Sequence, residues 1–125
     1  MTGPGRSTVL VAEDDPLILA LIRASLQPLS VTVLEAGTGP AALALARSAG
    51  PDLILLDVGL PQLDGFEVCR RLKADAATRS LPVVLLTARA QQADRDRGAA
   101  VGADEFVAKP FSPAGLLAEV RRWLG

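Results

Sequence analysis

Five short apolar segments that alternate with segments of helical character constrain the fold of this chain more than any other feature. The middle segments are apolar at consecutive positions, which is typical of parallel strands covered on both faces of a sheet. The pattern predicts strands at residues 8–12, Val31–Ala36, 53–56, Val83–Thr87 and Glu105–Ala108. Capping residues and helical spacing predict helices at residues 16–26, 40–48, Gly65–Ala74, 91–101 and 114–124. Five successive strand–helix units favour an α/β fold, a doubly wound five-stranded parallel sheet with five helices on its two faces.

Length and composition narrow the classes of function. The 125 residues predict one domain, which we place at residues 8–125 behind a polar tail at residues 1–7 that lacks the features of a secretory signal. The net charge of −1 argues against direct nucleic-acid binding, and no apolar run approaches the length of about 20 residues that spans a membrane. The single cysteine fits a reducing compartment, so we expect a cytoplasmic protein. The absence of histidine excludes a Ser-His-Asp triad and a phosphohistidine within these residues.

Polar residues occur where each of four predicted strands ends. Glu13 and Asp14 follow the first strand, Asp57 ends the third, Thr87 ends the fourth and Lys109 follows the fifth. Each of them also has an ordinary structural interpretation as a loop acid, a turn cap, a strand residue or a surface charge. In a doubly wound sheet, however, the carboxyl ends of the strands form the ligand site. Their shared position at one edge of the sheet therefore favours a functional site.

The charges of this group indicate a divalent cation. The three carboxylates sum to −3 and Lys109 returns +1, and clustered carboxylates stay ionised only when a counter-charge is near. With oxygen donors and no histidine, Mg²⁺ is the expected occupant, and it leaves coordination positions for water and a phosphate. The group is thus suited to receive a phosphoryl group beside a carboxylate nucleophile.

Four sequence motifs carry a resemblance to a known family. They are VLVAEDDP at 9–16, LILLDVGLPQLDGFEVCRRL at 53–72, PVVLLTA at 82–88 and GADEFVAKPF at 102–111. In order and spacing the chain resembles the receiver domain of two-component response regulators from residue 8 to residue 124. The resemblance implies a flavodoxin-like sheet with the strand order 2-1-3-4-5.

The resemblance also implies how a phosphorylation site is assembled. Asp57 would be the phosphoacceptor. Asp14 would bind Mg²⁺ directly and Glu13 would hold it mostly through water. Asp57 and the backbone carbonyl of Gly59 would be further ligands. Glu13 stands where many relatives have aspartate, which moves the carboxylate outward by one methylene.

A second set of implied roles concerns the response to phosphorylation. Lys109 would pair with the phosphoryl oxygens, Thr87 would bond one of them, and Phe106 stands where the family keeps a switching aromatic residue. The peptide bond from Lys109 to Pro110 would be cis.

The family geometry further places residues 59 and 89 beside the water that hydrolyses the phosphoryl group. Gly59 has no side chain to hold this water, and Arg89 is a donor only. We therefore expect a long-lived phosphorylated state.

The resemblance implies a signalling switch, not a turnover enzyme. The phosphoryl group would come from a phosphohistidine on a histidine kinase or a histidine phosphotransfer protein. The surface of the fourth helix, fifth strand and fifth helix would control an output domain or partner and offers one possible homodimer contact. Ala114 and Gly115 lack the charged side chains that many DNA-binding relatives carry on that surface. We expect no direct contact of this domain with nucleic acid or membrane.

Other interpretations of the sequence remain open at this stage. Residues 37–42 match a dinucleotide-binding fingerprint, although Pro40 removes a backbone donor from the turn that would hold the pyrophosphate. An aspartyl-phosphate phosphatase would place a second acid two residues after its nucleophile, where this chain has Gly59. A degenerate receiver that only binds partners is the third alternative, and the presence of all five strand-end residues argues against it.

Overall fold

The fold is an alternation of five strands with five helices. The computed structural model describes residues 6–88 and 91–124. The strands are β1 (Ser7–Ala12), β2 (Val31–Ala36), β3 (Leu53–Asp57), β4 (Val83–Thr87) and β5 (Glu105–Ala108). The helices are α1 (Pro16–Ser25), α2 (Gly39–Ala49), α3 (Gly65–Ala74), α4 (Gln92–Ala100) and α5 (Pro113–Leu124). All ten predicted elements are therefore present, with bounds that agree to within one residue.

The strands form one parallel sheet in the order β2-β1-β3-β4-β5. This confirms the predicted fold class and strand order. The chain moves outward from β1 to the β2 edge, and then returns to β3 on the other side of β1. The order thus reverses between β1 and β3, and the loops that follow these two strands flank the crevice in which α/β sheets bind ligands.

Two apolar cores, one on each face of the sheet, explain why the central strands are apolar at consecutive positions. Successive side chains of a strand point to opposite faces. In β3, Ile54 and Leu56 join the core under α2 and α3, while Leu53 and Leu55 join the core under α1 and α5. All four side chains are fully buried, as is Cys69 of α3. The sheet is covered on both sides and its strand ends are held rigidly.

Local capping sets where most of the helices begin and end. Asp15, Thr38 and Asp64 accept hydrogen bonds from backbone N–H groups in the first turns of α1, α2 and α3 at 2.9, 3.2 and 2.9 Å. Gly50 ends α2 with a φ of +56°, a left-handed conformation that glycine adopts without strain. Because these caps satisfy backbone groups locally, the helix positions could be predicted from short sequence patterns.

Helix α4 is attached to the domain differently from the other helices. Gly98 is its one buried residue, and the rest of QADRDRGAA offers no large apolar side chain. Two of its arginines lie instead over aromatic rings, Arg95 at 5.6 Å from the centroid of Phe106 and Arg97 at 4.4 Å from that of Phe66. Since exposed cation–π contacts are worth about 0.5–1 kcal/mol each, α4 is the helix with the weakest anchorage to the core.

Two predictions about the ends of the molecule meet the structure only in part. Strand β1 begins at Ser7, one residue earlier than predicted, and Arg6 donates to the Val31 carbonyl at 2.9 Å. Residues 1–5 of the expected tail lie outside the described residues. No helix in the described ranges is both long and apolar enough to cross a membrane.

Candidate functional site

The structure brings the predicted strand-end residues together at one edge of the sheet. Asp57 and Thr87 are the last residues of β3 and β4, Glu13 and Asp14 follow β1, and Lys109 follows β5. One carboxylate oxygen from each of Glu13, Asp14 and Asp57 lies within 4.8 Å of the others. Glu13, Asp57 and Thr87 are buried, at 3, 7 and 4% exposure, while Asp14 is exposed. The group therefore forms a cluster with one solvent-facing side.

Lys109 links two of the three acids of this cluster, Glu13 and Asp57. Its Nζ donates to Glu13 Oε1 at 2.7 Å and to Asp57 Oδ1 at 2.9 Å. Glu13 Oε2 accepts a further hydrogen bond from the backbone N–H of Asp15 at 3.1 Å. The ammonium thus joins the ends of three strands, β1, β3 and β5, through contacts between residues 52 and 96 positions apart in the sequence.

Burial and pairing act in opposite directions on these groups. Burial disfavours the charged form of Glu13 and raises the pKa of its carboxyl, against the lowering effect of the hydrogen bonds from Lys109 and Asp15. Burial of the Lys109 ammonium opposes its charge, but the hydrogen bonds to Glu13 and Asp57 outweigh this cost and leave the pKa of Lys109 raised. The cluster therefore holds a proton on Lys109 and a negative charge that is only partly balanced.

Backbone hydrogen bonds beyond the strand ends hold the loops of the site in place. The Lys109 N–H donates to the Thr87 carbonyl at 2.7 Å, the Glu13 N–H to Ala36 at 3.0 Å and the Val58 N–H to Leu86 at 2.9 Å. The Lys109–Pro110 peptide bond is cis. These bonds extend the sheet by one residue at the edge where the side chains converge.

An open cleft of about 380 Å³ adjoins the cluster. Asp57, Thr87 and Lys109 line one part of it, and Asp64, Asp94 and Arg97 are among the residues that line the remainder. Asp57 Oδ1 is bonded to Lys109, whereas Oδ2 lies on the Gly59 side, 3.7 Å from where a Cβ of residue 59 would be. The absence of a side chain at Gly59 leaves the path to this oxygen open, and the cleft is large enough for a phosphoryl group.

Phe106 and Arg89, two further residues singled out from the sequence, lie differently with respect to this cleft. Phe106 in β5 is half-buried, and its ring packs against α4, where a Cβ on Gly98 would lie 2.9 Å from the ring. Arg89, expected to influence hydrolysis, lies outside the described residues.

Arg97 is a residue of the cleft that sequence reasoning missed. The sequence places it in a run of alternating charges, typical of a solvated helix face. In the structure its guanidinium lies over the Phe66 ring and 3.7 Å from an Asp64 carboxylate oxygen. Since these partners are more than 30 residues away in the sequence, no local pattern could have indicated the contact.

The geometry of residues 37–42 argues against the dinucleotide alternative. A Cβ on Gly39 would lie 2.2 Å from the backbone oxygen of Leu63, so the chain itself occupies the space beside this glycine. A fingerprint glycine instead leaves room for a pyrophosphate to approach the backbone.

Comparison with known proteins identifies the family of the chain. The family model described as the response regulator receiver domain matches residues 9–121. The chain belongs to the response regulator receiver domain family. Receiver domains are phosphorylation-dependent signalling modules of two-component systems. The family that the sequence motifs predicted is therefore confirmed.

Curated relatives of this receiver domain are larger regulators. The DNA-binding dual master transcriptional regulator RpaA of Synechocystis is 42% identical over 116 residues, which is 93% of this chain and 48% of that protein. The transcriptional regulatory protein CreB of Escherichia coli is 44% identical over 119 residues, 95% of this chain and 51% of that protein. The receiver domain therefore spans about half the length of these two relatives.

Solved structures share the fold almost completely. A response regulator from Chloroflexus aurantiacus superposes with a TM-score of 0.90 at 31% identity, covering 96% of this chain and 98% of the other. The receiver domain of the sensor histidine kinase PA1611 of Pseudomonas aeruginosa gives 0.88 at 35% identity, covering 97% and 99%. That structure has a magnesium ion coordinated in its active site cleft.

The contacts of Lys109 generate a stability prediction. Replacing Lys109 by Met leaves Glu13 buried without its ammonium partner, and we expect the free energy of unfolding to fall by about 3 kcal/mol at neutral pH. Arg47→Met is the control, because Arg47 pairs with Asp75 at 3.2 Å with about half of its side chain exposed. Such a pair contributes less than about 1 kcal/mol. Urea denaturation in metal-free buffer measures both, and equal losses would contradict the importance given to Lys109.

Proposed function

We propose that this receiver domain accepts a phosphoryl group on Asp57 in a Mg²⁺-dependent reaction and transmits the change to the surface of α4, β5 and α5. The observation that carries the proposal is the environment of Asp57. Its buried carboxylate is held by Lys109 beside two further acids, and it opens onto a cleft of about 380 Å³. A group-transfer reaction needs a fixed nucleophile, an adjacent cation and an open cleft, and the surroundings of Asp57 supply all three.

The chemistry follows from the two oxygens of Asp57. Oδ1 accepts from Lys109 and keeps a second lone pair for the metal, which leaves Oδ2, on the open Gly59 side, as the nucleophile. Oδ2 attacks the phosphorus of a phosphohistidine and forms a P–O bond while the P–N bond breaks. The imidazole leaves with the electron pair of that bond and takes up a proton from solvent water, so that it departs as neutral imidazole. Lys109 then pairs with the phosphoryl oxygens, to which its fixed ammonium is already close.

We assign the metal-binding roles to Asp14, Asp57, Glu13 and the Gly59 carbonyl. The donor set consists of oxygens, which suits Mg²⁺, and the bound ion would neutralise charge on the transferring phosphoryl group. Both oxygens of Glu13 already accept hydrogen bonds, from Lys109 and from the Asp15 N–H. The exposed Asp14 is therefore better placed to bind the ion directly, and Glu13 to bind it through water.

The phosphoryl donor lies outside these 125 residues, because they contain no histidine. We propose a histidine kinase or a histidine phosphotransfer protein as the donor. The receiver assists its own phosphorylation and dephosphorylation without acting as a turnover enzyme.

We propose that the domain comprises residues 8–125, preceded by an N-terminal tail at residues 1–7. It acts in the cytoplasm and controls an output domain or a separate partner without itself contacting nucleic acid. Two of its larger relatives are named as transcriptional regulators, which supports an output outside this domain. A homodimer through α4, β5 and α5 would present Glu105 and Arg122, which are paired at 2.8 Å.

Thr87 and Phe106 supply the proposed switch. Thr87 ends β4 on the wall of the cleft, and its hydroxyl would bond a phosphoryl oxygen on Asp57. To make this bond, the Thr87 side chain moves toward Asp57 and leaves a space into which the half-buried Phe106 ring turns. The ring loses no hydrogen bond when it turns, because it carries no hydroxyl. Phe106 packs against Gly98, so movement of the ring changes the position of the weakly anchored α4.

Phosphorylation of Asp57 is the direct test of the proposed function. With acetyl phosphate and Mg²⁺, we expect the mass of one phosphoryl group to be added to the wild type and to Asp94→Asn. Asp94 lines the same cleft and serves as the control for removing an acid there. Asp57→Asn, or chelation of the metal, abolishes labelling. Mass spectrometry that finds the Asp57→Asn variant labelled as fully as the wild type refutes the assignment.

A second prediction concerns the switch at Phe106. In the wild type we expect ring signals of Phe106 to report exchange on the microsecond–millisecond timescale, quenched by a phosphate mimic. Gly98→Ala adds a Cβ that would lie 2.9 Å from the ring and displaces Phe106 away from α4, which changes these signals before phosphorylation. Ala100→Ser, on the exposed part of the same helix, leaves them unchanged. NMR relaxation dispersion measures the exchange, and one rigid conformer in every state is the result that contradicts the switch.

The lifetime of phosphorylated Asp57 depends on residue 59. Gly59→Asn supplies an amide beside the proposed path of the hydrolytic water, and we expect dephosphorylation to become several-fold faster. Positioning of the water is worth about tenfold, or about 1.4 kcal/mol of barrier. Gly59→Ala adds a Cβ in ordinary contact with Asp57 Oδ2 but no amide, and it controls for bulk. The dephosphorylation rate is measured from the decay of the radiolabelled phosphoprotein after the donor is removed. If Gly59→Asn is dephosphorylated no faster than Gly59→Ala, residue 59 does not set the lifetime through the water.

A further inference from the structure

We propose that Gly39, at the start of α2, is a positioning residue for the metal site. It holds residues 58–64, the loop that carries the Gly59 carbonyl, in position. The inference rests on the proposed Mg²⁺ site, in which this carbonyl is a ligand. The contacts that carry this inference join Gly39 to Pro61 and Leu63 in the loop, and none of them is with an acid of the cluster.

The two ends of this loop are fixed by the sheet and by α3. The Val58 N–H donates to Leu86 in β4 at 2.9 Å, and the Gly65 N–H donates back to the Val58 carbonyl at 2.8 Å. Gly65 approaches so closely that a Cβ there would lie 2.5 Å from the Asp57 carbonyl oxygen. The loop therefore begins and ends at nearly the same place, and only its middle needs a separate support.

Gly39 provides that support. Its N–H donates to the Pro61 carbonyl at 3.2 Å. A Cβ on residue 39 would lie 2.2 Å from the Leu63 backbone oxygen and 2.5 Å from Leu63 Cβ. Neither atom is the end of a flexible side chain, so a methyl group at residue 39 has to move the loop or the start of α2.

Such a movement reaches the metal ligand because the intervening chain is short and held. Gly59 lies two residues before Pro61, and Leu60 between them is buried in the core at 5% exposure. A displaced loop therefore carries the Gly59 carbonyl with it. Mg²⁺ requires nearly ideal octahedral geometry at about 2.0–2.1 Å, so a shift of a few tenths of an ångström in one ligand weakens binding.

Gly37 offers a matched control two residues earlier in the same segment. It is exposed, and a Cβ on it would have no atom within 4 Å. A Gly→Ala change at residue 37 removes the same backbone freedom from the unfolded chain without pressing on the loop.

The experiment compares wild type, Gly39→Ala and Gly37→Ala by NMR during titration with MgCl₂, using backbone amide shifts of Asp14, Asp57 and Gly59. We expect the Mg²⁺ dissociation constant to rise about tenfold in Gly39→Ala and to stay unchanged in Gly37→Ala. Melting temperatures without metal are measured in parallel. A Gly39→Ala variant that melts earlier but binds Mg²⁺ like the wild type shows a purely structural role and overturns the proposal.

The wild-type titration separates the failure of this inference from failure of the proposed function. If Mg²⁺ shifts none of the amides of Asp14, Asp57 and Gly59, the proposed metal site is wrong, and this inference falls with it. If it shifts them but leaves the Gly39 amide unmoved, only the inference is overturned. A Gly39 amide that moves with the same midpoint as Gly59 supports it, including when the Gly39→Ala variant does not fold.

Discussion

The ammonium of Lys109 between Glu13 and Asp57 is the interaction on which the rest of this structure depends. It gathers charged groups from the ends of three strands into a partly buried space, where an unpaired carboxylate would be costly. Each core face contributes by fixing a strand end, since apolar side chains of β1 and β3 are packed on both sides. The sheet can thus be understood as a rigid frame that keeps one cation and three acids within a few ångströms before any phosphoryl group arrives.

The sequence was sufficient for predicting the parts of this arrangement that depend on local rules. Alternating strand and helix patterns located all ten elements, and the capping residues Asp15, Thr38 and Asp64 marked where three helices begin. The clustering of the strand-end acids with Lys109 followed from the geometry of parallel strands alone. The strand order, in contrast, came only from resemblance to the receiver family, because alternation of strands and helices is compatible with several orders.

Contacts between side chains and backbone of different elements could not be predicted in the same way. Three such contacts join residues that no periodic pattern relates. They are the packing of Leu63 against Gly39, of Arg97 near Asp64, and of Phe106 on Gly98. Gly39 is instructive because its sequence context suggested a phosphate-binding turn. The missing side chain makes room for the protein's own backbone at Leu63. Only the position of the loop after β3 shows that this glycine accommodates the loop and not a bound phosphate.

The way in which α4 is attached has a consequence for how this domain can be tuned. Two arginine–aromatic contacts contribute about 1–2 kcal/mol together, which is comparable to burying one leucine and to one charge-assisted hydrogen bond from a phosphoryl oxygen. These two contacts are therefore weak enough for a change of this size at the cleft to alter how α4 packs. Exchanging Arg95 or Arg97 would shift that balance without altering the cores that fold the domain. In the proposed switch, the position of α4 therefore depends on exposed side chains, which can be substituted without changing the acidic cluster or Lys109.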